Sequence, residues 1–409
     1  MSTLTVRPRP APERDTGPSG SASASDDRRV FPLNTLRAVA ALSVVTFHAY
    51  QYSRSGPDAA WPWEGLAHRL MTGTELFVEM FFVLSGLVLW LPVARAVTAG
   101  GETRSGRAML LRRTARLLPL YLTVVLVVWS LSNHSVPGHW QDLLLHLTFT
   151  HVYSDDYIFW TDGPAWSLAV EFHFYLLVAL SFPVIRWALR RWPHARTAVL
   201  VAPPALLAVL GLAYNALMIH VVQPAATDWS VWFSPASRAG SFAVGMFLAV
   251  LSAREVTLPT VARRMTAAVG IAALLALVVA RSETEPVLHW WPTLYALALG
   301  VALSAIVLHR GPWARVLSEP TLAWLGGLGY GVYLIHEPVL RLVTHLGLAP
   351  EPQQGPAFLA TAVLVAVPSI ALAWVSSKTV EAAGLRLATL LDRDGRSREY
   401  YPHLASDPA

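Results

Sequence analysis

Arg37 and His48 lie eleven residues apart in the apolar run Leu33 to Tyr50, which reads as a membrane-spanning helix. Charged and titratable groups inside a bilayer are costly and are candidates for function by default. Eleven residues is close to three helical turns, so both side chains face the same way, ~16 Å apart along the axis. One could hold an anion near one membrane face while the other does proton chemistry deeper in. The structural alternative has Arg37 snorkelling to the interface and His48 closing a bundle contact.

Glu171 and His336 sit in two further apolar runs. Counted from the ends of their spans, His48 and Glu171 fall ~22 Å, and His336 ~21 Å, above the inner edge of a ~30 Å core. This agreement in depth predicts that the three groups share one level in the outer half of the membrane. Ser167, Glu171, Phe174 and Tyr175 form a helical stripe. Tyr330, Tyr333 and Glu337 form another, with His336 one turn from Tyr333. Glu79 and Ser85 flank a phenylalanine pair. Ser85 and Gly86 read as small residues for close helix packing, whereas Glu79 and Glu337 fit an interior or a rim position equally well. Arg113 and Arg116, at i and i+3, face one side and with Arg37 could clamp a phosphate. Ordinary inside-positive charge also accounts for such arginines, and for Arg112 it suffices.

A histidine with a carboxylate partner is a general base with a fixed tautomer, able to deprotonate a hydroxyl. A phosphate clamp ~16 Å away on the same face suits a long phosphorylated carrier such as a coenzyme A thioester. The histidines lack a ligand spacing such as HExxH, so no metal site is expected.

The elements that must position these groups follow from composition. The 409 residues are 54% hydrophobic and only 14% charged, against about a quarter charged in soluble proteins. Mean hydropathy is +0.45. The expected fold is all-α and polytopic in a lipid bilayer, with about ten transmembrane helices: 33–51, 76–95, 117–132, 166–185, 198–222, 236–253, 263–280, 292–309, 322–345 and 357–377. The run Leu143 to Phe149 is too short to span and reads as re-entrant or interfacial. There is no cysteine, which excludes disulfides and thiol catalysis, and Lys378 is the only lysine. Arginines cluster in alternate loops: Arg28 and Arg29; Arg95, Arg104, Arg107, Arg112, Arg113 and Arg116; Arg186, Arg190, Arg191 and Arg196; Arg254, Arg263 and Arg264; Arg310 and Arg315. Residues 133–165 carry no arginine but Asp142, Asp155, Asp156 and Asp162. The pattern predicts cytosolic termini and reports topology, not nucleic-acid binding. Residues 1–30 and 379–409 read as polar cytosolic tails around a membrane domain at 31–378. Arginine in place of lysine hints at a GC-rich bacterial source, hence a multi-pass plasma-membrane protein.

Several segments also resemble the acyltransferase-3 family. Leu33-Asn-Thr-Leu-Arg37 with His48 resembles its first-helix signature, and Phe81-Phe-Val-Leu-Ser-Gly86 its second-helix motif. Arg113-Thr-Ala-Arg116 resembles its Arg-x-x-Arg element. Trp166-Ser-Leu-Ala-Val-Glu171 and Gly329-Tyr-Gly-Val-Tyr333-Leu-Ile-His336 resemble its later motifs, and all five stand in family order. Asn34, Ala38, Phe172, His173 and Gly329 depart from the usual residues, which leaves the key His, Arg and Glu in place and points to a different acceptor pocket.

The resemblance implies an integral membrane O-acyltransferase that moves an acyl group, acetyl by default, from acyl-CoA to a sugar, glycan, glycolipid or secondary metabolite. It implies His48 as catalytic base with Glu171 beside it in the reaction centre; Arg37, Arg113 and Arg116 as the donor site; and Tyr333 and His336 in the substrate pocket, which Ser167 and Tyr330 on the two stripes are expected to complete. Acyl-CoA is a co-substrate, with no permanently bound cofactor expected, and transfer is expected to be completed within the membrane domain. The competing reading is a proton-coupled secondary transporter with His48, Glu171 and His336 as relay; the internal repeat common in such proteins is not evident. Acceptor, acyl length and oligomeric state are open at this level.

Overall fold

The computed structural model describes residues 21–55, 59–101, 103, 105–133, 137–281, 287–308, 319–350 and 355–391, with side chains from residue 33 onward. Arg104, Arg310 and Arg315 lie outside the described residues, as do residues 1–20, 392–409 and the side chains of Arg28 and Arg29.

The described residues are helical, with one isolated bridge between Ser55 and Ala60. The helices are α1 (Ser21–Tyr52), α2 (Gly65–Gly73), α3 (Val78–Thr98), α4 (Gly106–Ser132), α5 (Trp140–Leu147), α6 (Ala165–Arg191), α7 (Arg196–Leu217) and α8 (Trp229–Trp232). They continue as α9 (Pro235–Ala253), α10 (Thr260–Val279), α11 (Trp291–Val307), α12 (Pro320–Gly327), α13 (Gly329–His345), α14 (Phe358–Lys378) and α15 (Val380–Leu391). Helices satisfy their own backbone groups, which is the condition for crossing hydrocarbon.

Among the described residues, eight stretches are long and apolar enough to cross a membrane. They correspond to the expected spans except the first and the ninth. In α1, Asn34, Arg37 and His48 dilute the apolar run. The expected ninth span is broken at Leu328 into pieces of 8 and 17 residues. Glycine explains the break: Gly326, Gly327 and Gly329 surround it, and a Cβ on Gly326 would strike the backbone of Asn34. The chain interrupts its helix where α1 passes closest. Both α1 and the α12–α13 pair are packed inside the bundle.

Two further differences concern the tails. Helix α1 begins at Ser21, inside the expected tail of 1–30. Val380–Leu391, expected as polar tail, folds as an amphipathic helix whose Gly384 lies on Ala115 and Pro119 of α4.

Helices α3 and α9 pack most intimately. A Cβ on Gly86 would lie 3.1 Å from the Phe242 carbonyl carbon, and one on Gly245 would lie 2.7 Å from Leu87 N. Small residues allow this backbone approach, and in lipid such packing drives association. Leu180, Leu206, Val209 and Leu131 are exposed on the outer helices, as lipid-facing positions should be. Helix α5 covers the short stretch read as re-entrant or interfacial: Trp140, Leu144 and Leu147 face outward, whereas Asp142 and His146 are buried.

Candidate active site

A cavity of about 80 Å³ opens between α1, α3, α4, α6, α12 and α13. Arg37, Arg113 and Arg116 line it with Ser85, Ser167, Glu171, Tyr175, Tyr330 and Tyr333. Phe81, Phe82, Leu117 and Leu168 supply apolar wall. The fold thus gathers the three expected donor arginines, Glu171 and three of the four expected pocket residues around one space.

The hydrogen bonds divide this space into two ends. At one end, Ser85 Oγ donates to Glu171 Oε1, and the Tyr175 hydroxyl donates to the same oxygen at 2.5 Å. Arg113 lies over the Tyr175 ring at 5.5 Å. Arg37 donates to Asn34 Oδ1 at 3.0 Å. The Tyr330 hydroxyl donates to the Leu117 carbonyl at 2.6 Å, which ties α13 to α4. Ser85 therefore does more than pack: it holds a carboxylate. Gly86, its neighbour, is the close-packing residue.

At the other end, the hydroxyls of Ser167 and Tyr333 are 2.9 Å apart. Phe81 meets the Tyr333 ring edge-on at 5.2 Å. The Tyr333 carbonyl accepts from His336 Nδ1 at 2.5 Å, and His336 Nε2 is 2.9 Å from His48 Nδ1. A carbonyl only accepts, so His336 carries its proton on Nδ1 and, when neutral, accepts at Nε2. His48 Nδ1 must then donate, which leaves the lone pair on His48 Nε2. The partners thus assign both tautomers.

Sequence depth brought His48, Glu171 and His336 to one level. The structure pairs the two histidines, and Glu171 bonds to Ser85 and Tyr175, so the partner that orients His48 is an imidazole. Helix depth fixes height but not azimuth, and the two histidines share an interface because α1 packs directly on α13. Tyr333 joins the two ends, with its ring in the cavity wall and its carbonyl on His336.

Three polar clusters escaped the sequence reading. Glu337 accepts from Arg341 at 2.6 Å and from Tyr52 at 3.3 Å, while Arg341 also donates to the carbonyls of Phe159, Trp160 and Thr161. Buried Asp142 pairs with His146 at 2.9 Å and accepts from Thr161; His146 stacks on His151 with centroids 4.0 Å apart. Burial pushes the Asp162 carboxyl well above the usual carboxylate range; Glu337 adds to this and Arg341 opposes it. Burial, then His146, pushes His151 well below its ordinary value. Thirdly, Glu79 pairs with Arg238 at 3.3 Å and accepts from Ser241 at 2.5 Å. Glu337–Arg341 and Asp142–His146 are i, i+4 pairs and did leave a spacing signal, whereas Glu79 and Arg238 lie on distant helices and left none. A larger opening of about 530 Å³ among Arg95, Thr98, Arg254, Glu255 and Leu308 holds none of the expected site residues. Among the described residues, no group of three or more His, Asp or Glu could hold a metal ion.

The helices thus form an apolar bundle around a cavity lined by Glu171 and three arginines, with the His48–His336 pair beyond Tyr333. Residues 32–378 match the profile described as an acyltransferase domain, and the chain belongs to that family. It is 25% identical over 343 residues to the peptidoglycan O-acetyltransferase OatA of Listeria monocytogenes, covering 76% of this chain and 49% of that protein. It is 27% identical over 336 residues to the putative peptidoglycan O-acetyltransferase YrhL of Bacillus subtilis, with the same coverage of 76% and 49%. A putative O-acetyltransferase of Staphylococcus aureus, SACOL0978, is 23% identical over 333 residues, covering 76% of this chain and 50% of that protein. The chain spans about half the length of the curated relatives it matches. No solved structure matches it.

Proposed function

We propose that this chain is a membrane O-acyltransferase that moves an acyl group, acetyl in the first instance, from cytosolic acyl-CoA to a hydroxyl of a glycan, glycolipid, sugar or secondary metabolite. The observation that carries this reading is the His336 Nε2 to His48 Nδ1 hydrogen bond beside an arginine-lined cavity. The relatives' names support acetyl as the group and peptidoglycan as one class of acceptor. The arginine pattern supports ten crossings with cytosolic termini, and arginine in place of lysine supports a bacterial source and so a plasma membrane.

In this reading Arg37, Arg113 and Arg116 hold donor phosphates through charge-assisted hydrogen bonds. The acceptor hydroxyl gives its proton to His48 Nε2 as its oxygen bonds to the thioester carbonyl carbon. The carbon–sulfur bond then breaks, and the thiolate takes the proton back from His48. Protons balance, and His336 shares the transient imidazolium charge. Tyr330, Tyr333 and Ser167 form the wall against which the acyl group lies. Glu171 acts through Ser85 and Tyr175, and offsets the charge of the arginines. A proton relay through His48, Glu171 and His336 is supported less well, because Glu171 is bonded to hydroxyls rather than to either imidazole.

The test uses purified protein in liposomes with radiolabelled acetyl-CoA and a panel of hydroxylated acceptors, wild type beside His48→Ala. His48-dependent transfer of label to an acceptor is the expected result. Should no acyl-CoA be consumed with any acceptor, the reading fails and proton-coupled flux is measured instead.

A further inference from the structure

Arg238 is 6% exposed on α9 and pairs with Glu79, itself 1% exposed, on α3. A charge pair inside a membrane protein is costly. The seam between α3 and α9 does not need it, since Gly86 and Gly245 already bring the two backbones together. The guanidinium has a second set of neighbours. It lies 5.4 Å from the Trp166 ring and 5.3 Å from the Phe233 ring. Trp166 meets Phe233 edge-on at 4.6 Å and Phe82 at 5.8 Å.

Phe82 lines the cavity, and Trp166 directly precedes Ser167, which also lines it and contacts Tyr333. Glu79, fixed by Ser241, therefore anchors a flat cation on which the first turn of α6 rests. We propose that Arg238 is a positioning residue for the acyl-transfer cavity: through Trp166 it sets Ser167 and Phe82, and so the placement of the group lying between them and Tyr333. The inference rests on the acyl-transfer reading for its kinetic consequence but not for its geometry. Arginine suits the task because its planar guanidinium lies against an aromatic ring while pairing with a carboxylate; a lysine ammonium keeps the charge and loses the stack.

The experiment uses the full chain in nanodiscs. The chain has no cysteine, so Leu168→Cys puts a single thiol on the cavity wall. Its reaction rate with a small methanethiosulfonate reports cavity geometry without assuming any reaction. Adding Arg238→Lys is expected to change that rate about five-fold with the unfolding midpoint within a few degrees of the parent, since the charge opposite Glu79 is kept. In otherwise wild-type protein, Arg238→Lys and Trp166→Phe are each expected to lower kcat about ten-fold with little change in KM for acetyl-CoA. The double variant should be no worse than the weaker single variant, because both act through one contact. An unchanged thiol rate, or additive losses in kcat, overturns the proposal. If Arg238→Lys does not insert, Trp166→Phe carries the same thiol measurement with the same two outcomes. A thiol rate that responds while wild type transfers nothing would sink the acyl-transfer reading and leave the positioning role standing.

Discussion

Glu79 and Glu171 are both intramembrane glutamates, each with a serine donor and arginine nearby, yet their regions are organised in opposite ways. Glu79 is sealed: Arg238 pairs with it as an ion at 3.3 Å, Ser241 donates to it, and almost none of it is exposed. Glu171 lines a cavity, held by the hydroxyls of Ser85 and Tyr175, with Arg37, Arg113 and Arg116 set around the same space. A carboxylate closed on its arginine fixes one helix against another. A carboxylate held by neutral hydroxyls leaves the surrounding positive charge directed at the cavity, where an anionic ligand can meet it. Residue type alone would have ranked the two sites equally; what separates them is which groups close on each other.

Substitutions in the two regions and at the histidine pair should differ in what they damage. The largest effect is expected at the histidine pair: His48→Ala should lower acyl transfer by about 10²–10⁴-fold, the usual loss of a general base, while the protein stays inserted. Near-normal turnover, measured by acetyl-CoA consumption, would remove His48 as base. Next comes the sealed pair. Glu79→Ala leaves Arg238 buried without its partner and is expected to cost about 3–5 kcal/mol in stability, seen as a fall in the detergent unfolding midpoint; an unchanged midpoint would mean the pair is not sealed. Glu171→Gln should be milder for stability, because glutamine still accepts from Ser85 and Tyr175, but should slow transfer by about ten-fold as the carboxylate charge among the arginines is lost. Wild-type rates would take Glu171 out of the centre.

The smallest effect concerns Asp162. Its native carboxyl titrates well above the unfolded value, so its neutral form favours the fold and that contribution is lost as pH rises through the native value. Asp162→Asn stays neutral. Its stability relative to wild type should therefore increase as pH rises from about 4 to 8, read from unfolding midpoints across that range. A gap that shrinks with rising pH would contradict the assignment.

Much of this arrangement was legible in the sequence because membrane helices fix depth. Counting residues from span ends put His48 and His336 at one height, where they meet; it put Glu171 there too, but Glu171 lies at the arginine end with Ser85 and Tyr175, and i, i+3 spacing grouped Arg113 with Arg116. Azimuth was not legible. Nothing in the chain says that α1 turns His48 toward His336 and not toward Glu171, since that depends on how α1 packs on α13. Ser85 read as a packing residue because it stands next to Gly86; its bond to Glu171 crosses from α3 to α6. The break at Leu328 had a signal in the run Gly326-Gly327-Leu328-Gly329, which an apolar window averages away. Glu79 and Arg238 lie 159 residues apart, and only the fold joins them.

In the proposed mechanism the arginines hold the donor and the histidine pair does the chemistry. The most direct test is a calorimetric titration of coenzyme A into wild type, Arg37→Ala and His48→Ala in nanodiscs, beside turnover of the same samples. The account predicts that Arg37→Ala weakens coenzyme A binding by at least about ten-fold, the loss of one charge-assisted contact. It predicts that His48→Ala binds as wild type but turns nothing over. Wild-type binding by Arg37→Ala, or loss of binding by His48→Ala equal to its loss of turnover, would contradict it.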